Sequence, residues 1–450
     1  MSSVKKLAIR GTIWTIAGYG AGQVLRLASN LILTRLLEPK LFGLMALVYV
    51  FITALHLFSD IGIGTSIVQN KRGDDPAFLN TAWTLQAARG LVLWFCSLLL
   101  AWPVATFYNE RQLLWLLPVV ALTAVISGFN STAVYTLNRH IAVGKLSIFE
   151  FASGVVSIAV TITWAAFISK SIWALVIGSL VSSLLQLVGS YWLIPNSSNH
   201  FAWEKESVKE LLSFGQWIFL STAITFFAEQ ADRLIFGKLV PLETLGIYGV
   251  AMTFADLPRA VTLALNGKVI FPALAKIADL PRQEIRLKLN RNRKPMLLLL
   301  AVGLAFLVSF GDFVIKILYD KRYTDAAWML PLLALGIWPR LMCNSNDPAL
   351  MAIGKPQYIA AGNFSRFVCT AVGVLVGFQL FKIPGAIAAV ALNDLVYYST
   401  INYGLWREGL SGLMQDILAT ALLVTLIAAL VAGRFFLGFG FPLDMLFIRH

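Results

Sequence analysis

Thirteen long apolar stretches constrain this chain more than any other feature. A run of about 20 apolar residues matches an α-helix that crosses a hydrocarbon core of about 30 Å, where a helix satisfies its own backbone hydrogen bonds. Only 13% of the residues are charged, against about 25% in soluble domains. We therefore predict an all-α polytopic membrane protein with about 13 transmembrane helices, within a range of about 12–14. The predicted spans lie near residues 11–37, 41–68, 81–107, 113–137, 146–168, 172–194, 213–240, 245–271, 296–319, 326–353, 357–381, 384–405 and 413–433.

Lysine and arginine are shared unequally between the two sides of these spans. They are more frequent in the N-terminal tail and the even-numbered connections, which the positive-inside rule assigns to the cytoplasm. We predict a cytoplasmic N-terminus, retained as a signal anchor, in the cell inner (cytoplasmic) membrane. The basic connection 276–294 is interpreted as a topology anchor that also contacts anionic membrane lipids, with a dedicated partner site as the alternative. The net charge of +13 lies mostly in short loops, so it does not indicate nucleic acid.

A weak internal repeat relates the two halves of the sequence. It places Arg35 on Lys238 and Gly43 on Gly246. An even number of predicted spans separates the copies, so both halves have the same orientation in the membrane. We predict an N-terminal six-helix bundle at 1–194, a cytoplasmic linker at 195–212, a C-terminal six-helix bundle at 213–406, and an extra helix with its tail at 407–450.

Arginine side chains occur within the predicted spans, where each charge costs roughly 2.5–3.5 kcal/mol on insertion scales. Such residues face a protein interior or a watery cavity. Asp256 lies one turn before Arg259, and Asp232 adjoins Arg233, so two of the arginines have acidic neighbours. The others are candidates for an anion site, with pairing to another helix as the alternative, because a planar guanidinium binds phosphate oxygens bidentately. The predicted substrate-binding residues are Arg26, Arg89, Arg340 and Arg366.

Acidic residues in the spans outnumber these arginines, so the interior is not cationic in sum. A carboxylate that accepts a proton or sodium ion in a cavity can couple an ion gradient to transport. The candidate coupling residues are Glu229, Asp232 and Asp394. Thr, Asn and Gln residues lie on the same helix faces as these charged residues. We interpret them as forming hydrogen bonds between helices.

The sequence lacks the patterns of catalytic, metal or cofactor sites. Its three cysteines and four histidines are scattered, without the spacing of a metal site or a disulfide framework. GxxxG spacing at 18–22 and 373–377 has no strand before it, which favours close helix contact over nucleotide binding. We therefore predict that the protein is not an enzyme and uses no cofactor or metal.

Four local patterns occur in a fixed order along the chain. They are TRLLEPKLFG at 34–43, FSDIGIGTSIVQ at 58–69, ADRLIFGKL at 231–239, and LYDKRYTDAA at 318–327 followed by LMAIGKP at 350–356. In sequence and spacing they resemble the polysaccharide and O-antigen flippases of the multidrug/oligosaccharidyl-lipid/polysaccharide exporter superfamily. The resemblance covers about residues 10–410.

The resemblance implies two six-helix bundles that form a V around a central cavity. It implies alternating access that carries a lipid-pyrophosphate-linked oligosaccharide to the outer leaflet, for the synthesis of lipopolysaccharide O-antigen or another surface polysaccharide. The partners would be a polyprenyl-pyrophosphate-linked oligosaccharide and membrane lipids, with a polysaccharide polymerase and assembly proteins as further candidates.

Two alternatives to a flippase stay open at this point. A small-molecule or cation exporter of the same superfamily would use an acid-dominated cavity, and the acids within the spans favour it. A membrane-embedded polysaccharide polymerase would carry catalytic residues on a large external loop. The longest predicted external connection, near 319–325, is short and argues against the polymerase.

Overall fold

The computed structural model describes residues 3–139, 143–193, 199–266, 270–271, 274, 277 and 279–444. Every regular element within these ranges is helical, which confirms the predicted all-α class. The chain divides into two compact units, residues 1–226 and residues 227–450. The division falls inside one long helix, α9 (Lys205–Leu239), so this helix contributes to both units.

The first unit begins its helices where the sequence supplies starting signals. Pro39 and Pro76 stand at the first position of α2 and α4, where no backbone N–H is needed. The Asp75 side chain caps α4 by accepting the backbone N–H of Ala77 at 3.1 Å. The helices before α9 are α1 (Ser3–Leu36), α2 (Pro39–Phe58), α3 (Ile63–Gln69), α4 (Pro76–Tyr108), α5 (Leu113–Gly128), α6 (Ala133–Arg139), α7 (Val143–Thr163, extended by a π-helical turn Trp164–Ile168) and α8 (Trp173–Trp192).

Two of the predicted spans in this unit end earlier than the apolar pattern suggests. The span predicted at 41–68 breaks between α2 and α3, because Gly62 has a left-handed φ of 68° and Asp60 Oδ1 accepts its N–H at 2.9 Å. The span predicted at 113–137 likewise breaks after α5, at Phe129. Each break places polar backbone and side chains next to the following short helix.

Prolines also divide the helices of the second unit. Pro258, Pro339 and Pro348 stand in the first turn of α11, α14 and α15, so each interrupts a longer apolar stretch. Helix α13 and the α14–α15 segment meet at a bend of 41°. The helices are α10 (Leu242–Ala255), α11 (Leu257–Leu265), α12 (Arg282–Leu318), α13 (Ala326–Gly336), α14 (Trp338–Asn344), α15 (Asp347–Ala352), α16 (Gln357–Arg407) and α17 (Leu413–Phe436).

Helix α16 is folded back on itself. Phe381 and Lys382 have non-helical backbone angles in its middle. A Cβ on Gly377 would lie 2.4 Å from the backbone oxygen of Gly385, so the two arms touch through glycine. Farther from the turn, Asn393 of one arm donates to a threonine hydroxyl of the other at 2.8 Å. The two arms match the spans predicted at 357–381 and 384–405.

Length and hydropathy identify this chain as an integral membrane protein. Within the described residues, seven helices are long and apolar enough to cross a membrane, and the bent α13–α15 combination makes an eighth. Helix α16 contributes two antiparallel arms to this set, as described above. The exact number of thirteen spans stays a prediction.

The segment predicted as a linker, 195–212, is helical from Lys205 onward. Ser207 and Leu211 lie one turn apart and are both 0% exposed, and Leu211 packs against Ile67 and Phe78. This amphipathic spacing explains why the helix starts earlier than hydropathy alone indicates. The predicted bundle limits stay predictions. Residues 195–198, part of the 245–271 span, part of the 276–294 connection and the tail beyond 444 lie outside the described residues.

Candidate functional site

Glu229 of α9 is contacted by arginines from three other helices of the second unit. Its Oε1 accepts from Nη1 of Arg259 (α11) at 3.1 Å, from Nη1 of Arg366 (α16) at 3.1 Å and from Nη2 of Arg340 (α14) at 3.4 Å. Its Oε2 lies 2.9 Å from Nη1 of Arg259. One carboxylate therefore joins three cations from separate elements. We call Glu229, these three arginines and the acids Asp256 and Asp394 the Glu229 cluster.

Arg259 is positioned by the break between α10 and α11. Asp256 stands at the junction of the two helices, one turn before Arg259. Its carboxylate accepts Nε of Arg259 at 2.9 Å and Nη2 at 3.0 Å, a bidentate pair. The predicted pairing of Asp256 with Arg259 is confirmed, and Glu229 is a further partner that helical spacing did not indicate.

Arg340 and Arg366 are the more buried arginines, each with a side chain only 9% exposed. The guanidinium of Arg340 stacks on the ring of Tyr397 at 3.9 Å, and Tyr397 donates its hydroxyl to Asp347 at 2.9 Å. Nε of Arg366 lies 2.7 Å from Oδ1 of Asp394, on the other arm of the α16 hairpin. Each of these two predicted anion-binding residues thus has a carboxylate partner already.

A cavity of about 70 Å³ adjoins the cluster. A space of this size holds a few water molecules, not a sugar. Asp232 lines it as well and accepts a hydrogen bond from the hydroxyl of Tyr248. All three predicted coupling residues therefore border one cavity. Its charged lining residues are Glu229, Asp232, Arg233, Asp256, Arg259, Arg366 and Asp394.

Two further ion pairs of the second unit are almost completely buried. Arg293 Nη2 lies 2.7 Å from Asp416, and both side chains are at most 2% exposed. Arg434 makes two hydrogen bonds to Asp312, at 2.6 and 2.8 Å, with both side chains 1% exposed. The predicted spans exclude both arginines: Arg293 lies in the basic connection 276–294, and Arg434 directly follows the span predicted at 413–433. One sequence signal could have placed Arg293 in the protein interior. Arg293 lies at every-fourth-residue spacing with apolar residues that are all buried on the same helix face: Ile285, Leu289, Leu297 and Ala301.

The two predicted site arginines of the first unit have different surroundings. Arg89 of α4 donates to two neutral oxygens near the end of α2, Ser59 Oγ at 2.9 Å and the His56 carbonyl at 2.6 Å. Arg26 of α1 is exposed. The roles of all four predicted substrate-binding arginines, and of the three coupling acids, stay predictions.

A surface cluster in the first unit binds the start of α9 to α4. Arg72 Nη2 lies 2.6 Å from Asp75 and 2.7 Å from Glu204. The hydrogen bond from Arg72 holds the pKa of Asp75 below its usual value. The Ser207 hydroxyl, and then Arg72, do the same to the pKa of Glu204. We call these four residues the Arg72 cluster.

Solved structures of membrane transporters share this fold. The lipid II flippase MurJ, in an inward closed conformation, aligns over 93% of this chain and 92% of its own with a TM-score of 0.73 at 13% identity. A multidrug resistance MATE family transporter of the MOP superfamily, in an inward-facing conformation, aligns over 86% and 94% with a TM-score of 0.66 at 15% identity. The fold is therefore that of the exporter superfamily, as the sequence resemblance implied.

The chain belongs to the polysaccharide biosynthesis protein family, whose sequence profile matches residues 32–328. It is similar to the teichuronic acid biosynthesis protein TuaB of Bacillus subtilis, with 24% identity over 83% of this chain and 78% of that one. It is also similar to the succinoglycan biosynthesis transport protein ExoT of Rhizobium meliloti, with 23% identity over 83% and 74%. The lipopolysaccharide biosynthesis protein WzxC of Escherichia coli is 22% identical over 86% and 80%.

Proposed function

We propose that this protein is a flippase for a lipid-pyrophosphate-linked oligosaccharide in surface-polysaccharide biosynthesis. It would carry the repeat unit across the cytoplasmic membrane by alternating access, with its N-terminus in the cytoplasm and without catalysing a chemical reaction. Family membership supports this proposal, as do relatives named for succinoglycan transport and lipopolysaccharide biosynthesis. The substrate's sugar would differ among members, since the relatives are named for different polymers.

The observation that carries the proposal is the set of arginines held among apolar membrane helices. A pyrophosphate that crosses the membrane needs cations at that depth, and arginine keeps its charge there while its fork matches phosphate oxygens. Arg89 suits this role because its two hydrogen bonds go to neutral oxygens, so an anion that binds its guanidinium displaces no hydrogen-bonded carboxylate. We assign Arg26, Arg89, Arg340 and Arg366 to substrate binding, and Glu229, Asp232 and Asp394 to ion coupling.

Export of the surface polymer in a deletion strain tests this function. The Arg26→Ala, Arg89→Ala double variant is expected to abolish export and to cause the lipid-linked oligosaccharide to accumulate, while the protein still inserts in the membrane. Arg111→Ala, an exposed arginine between α4 and α5, is the matched control and should export normally. Normal export by the double variant, at wild-type protein levels, would refute the assignment of these two arginines.

A cation exporter is the second candidate, because acids line the cavity beside Glu229 and the fold is shared with a multidrug transporter. The same strains distinguish the two functions. A flippase predicts loss of surface polymer without a change in the accumulation of cationic dyes. A cation exporter predicts dye accumulation in the deletion strain and normal polymer.

A further inference from the structure

Glu229 lies where the side chains of three arginines converge. Arg259, Arg340 and Arg366 come from three separate helices and converge on this one carboxylate. Each arginine offers five N–H groups. Three guanidinium groups therefore supply more hydrogen-bond donors than the two oxygens of one carboxylate can accept. Nε and Nη1 of Arg340 are buried without a hydrogen-bond partner among the described residues. This arrangement has donor capacity for an anion with more oxygens than Glu229 has.

We propose that Glu229 is an internal stand-in for the substrate's pyrophosphate, and that the pyrophosphate displaces it with the uptake of one proton. This inference rests on the proposed flippase function and names the coupling ion and the residue that receives it. In the substrate-free protein, the Glu229 carboxylate neutralises the arginines. In the loaded protein, phosphoryl oxygens accept the same N–H groups and Glu229 is released.

Charge balance supplies the reason for the proton. Glu229, Asp256 and Asp394 carry three negative charges against the three of Arg259, Arg340 and Arg366, so the Glu229 cluster is neutral without ligand. A pyrophosphate diester adds two negative charges, in surroundings where an unpaired charge is costly, and one proton on Glu229 offsets one of the two. A carboxylate that loses its arginine partners therefore takes up a proton at one oxygen. Each ligand anion would enter with one proton on Glu229.

The groups around Glu229 favour it as the proton acceptor over the neighbouring acids Asp256 and Asp394. Asp256 keeps its bidentate contact with Arg259 within the α10–α11 turn, and Asp394 keeps Arg366 Nε at 2.7 Å. Glu229 lies on α9, where the nearby Arg233 donates to Gln230 instead. The cavity of about 70 Å³ at the cluster gives water, and hence a proton, access to the carboxylate.

Calorimetric titration of the purified full-length protein with dimethyl pyrophosphate tests this proposal. This soluble diester carries the two negative charges of the lipid linkage. Titrations in buffers of different ionisation enthalpy count the protons taken up. For wild type we expect one proton per ligand bound, and affinity that rises as the pH falls. For Glu229→Gln we expect no proton uptake, and affinity at least about tenfold higher at pH 7.5, since no carboxylate has to be displaced.

Asp416→Asn is the matched control, because it also neutralises a buried acid that pairs with an arginine but lies outside the Glu229 cluster. It should keep both the proton count and the affinity of wild type. Size-exclusion profiles establish that each variant is folded, and Arg340→Ala, Arg366→Ala should lose binding. Wild-type binding without proton uptake, or a folded Glu229→Gln that binds no diester or still takes up a proton, would overturn the proposal. If the titrations behave as expected while the deletion strain exports polymer normally, the flippase function fails and the diester site stands.

Discussion

The two units treat arginine at membrane depth in different ways. In the second unit, Arg366, Arg293 and Arg434 each face at least one carboxylate within 3.1 Å. In the first unit, the hydrogen bonds of Arg89 go to a serine hydroxyl and a backbone carbonyl. Separating a buried arginine–carboxylate pair is costly, because each charge then lacks its partner. An arginine whose hydrogen bonds go to neutral acceptors can bind an anion without separating such a pair. An anion that binds the second unit therefore has to displace a carboxylate, whereas one that binds Arg89 does not displace a hydrogen-bonded carboxylate.

The largest effect expected from this comparison is on the Arg434–Asp312 pair. Asp312→Asn leaves the guanidinium of Arg434 buried without its carboxylate, which typically costs about 3–5 kcal/mol. Thermal unfolding of the detergent-purified protein, followed by intrinsic fluorescence, measures the loss. Asp320→Asn is the matched control because its partner Arg322 is solvent-exposed and the pair is 36–37% exposed, where ion pairs contribute about 1 kcal/mol or less. Equal decreases of the unfolding temperature in the two variants would show that burial does not determine how much these ion pairs stabilise the protein.

A smaller effect distinguishes Arg89 from Arg366. Arg366→Leu removes a cation from both Glu229 and Asp394, so it leaves negative charge behind. Arg89→Leu leaves the Ser59 hydroxyl and the His56 carbonyl without their donor, at a cost of about 1–3 kcal/mol. We expect Arg366→Leu to lower the unfolding temperature more than Arg89→Leu does. If the order is reversed, Arg89 has a structural role and the contrast between the units is wrong.

Long-range patterns in the sequence predicted the fold class, but short-range features set where helices end. Runs of apolar residues predicted the helical membrane class and the two arms of α16. They did not predict the break at Gly62, because a left-handed glycine and an Asx turn leave hydropathy unchanged. Hydropathy did not predict the early start of α9, because most residues of its first turns are polar. Only one face of these turns is buried, and Leu211 lies on it.

The candidate site was predicted only in part, for a physical reason. Helical spacing identifies pairs on one helix, and it identified Asp256 with Arg259. Helical spacing carries no information about which helices are neighbours, so it could not predict that Arg340 and Arg366 both contact Glu229. The predicted spans begin after Arg293 and end before Arg434, because hydropathy places a boundary where a charge adjoins an apolar run.

The smallest expected effect lies at the surface of the first unit, where charges are exposed and water screens them. The pKa values of Asp75 and Glu204 are lower in the folded protein than in the unfolded chain. Their contribution to stability is therefore present above the unfolded pKa values and is lost as the pH falls through the folded ones. Acidification should loosen the segment that these residues fasten, 199–204, before it affects the buried pairs of the second unit.

Hydrogen exchange of three backbone amides reports this loosening. The N–H groups of His200, Ala202 and Glu204 donate to side chains of α4 at 3.0–3.2 Å. After correction for intrinsic rates, we expect their protection in wild type to be constant from pH 7 to about pH 5 and to fall below about pH 4, the usual range of carboxyl pKa values. Arg72→Ala should lower the protection at pH 7 and flatten that change, while Lys209→Ala, an exposed charge on α9, should do neither. Because Arg72 is the main cause of the lowered pKa of Asp75 and, after Ser207, a cause of the lowered pKa of Glu204, an unchanged pH profile in Arg72→Ala would mean that the side chains of α4 alone fasten this segment.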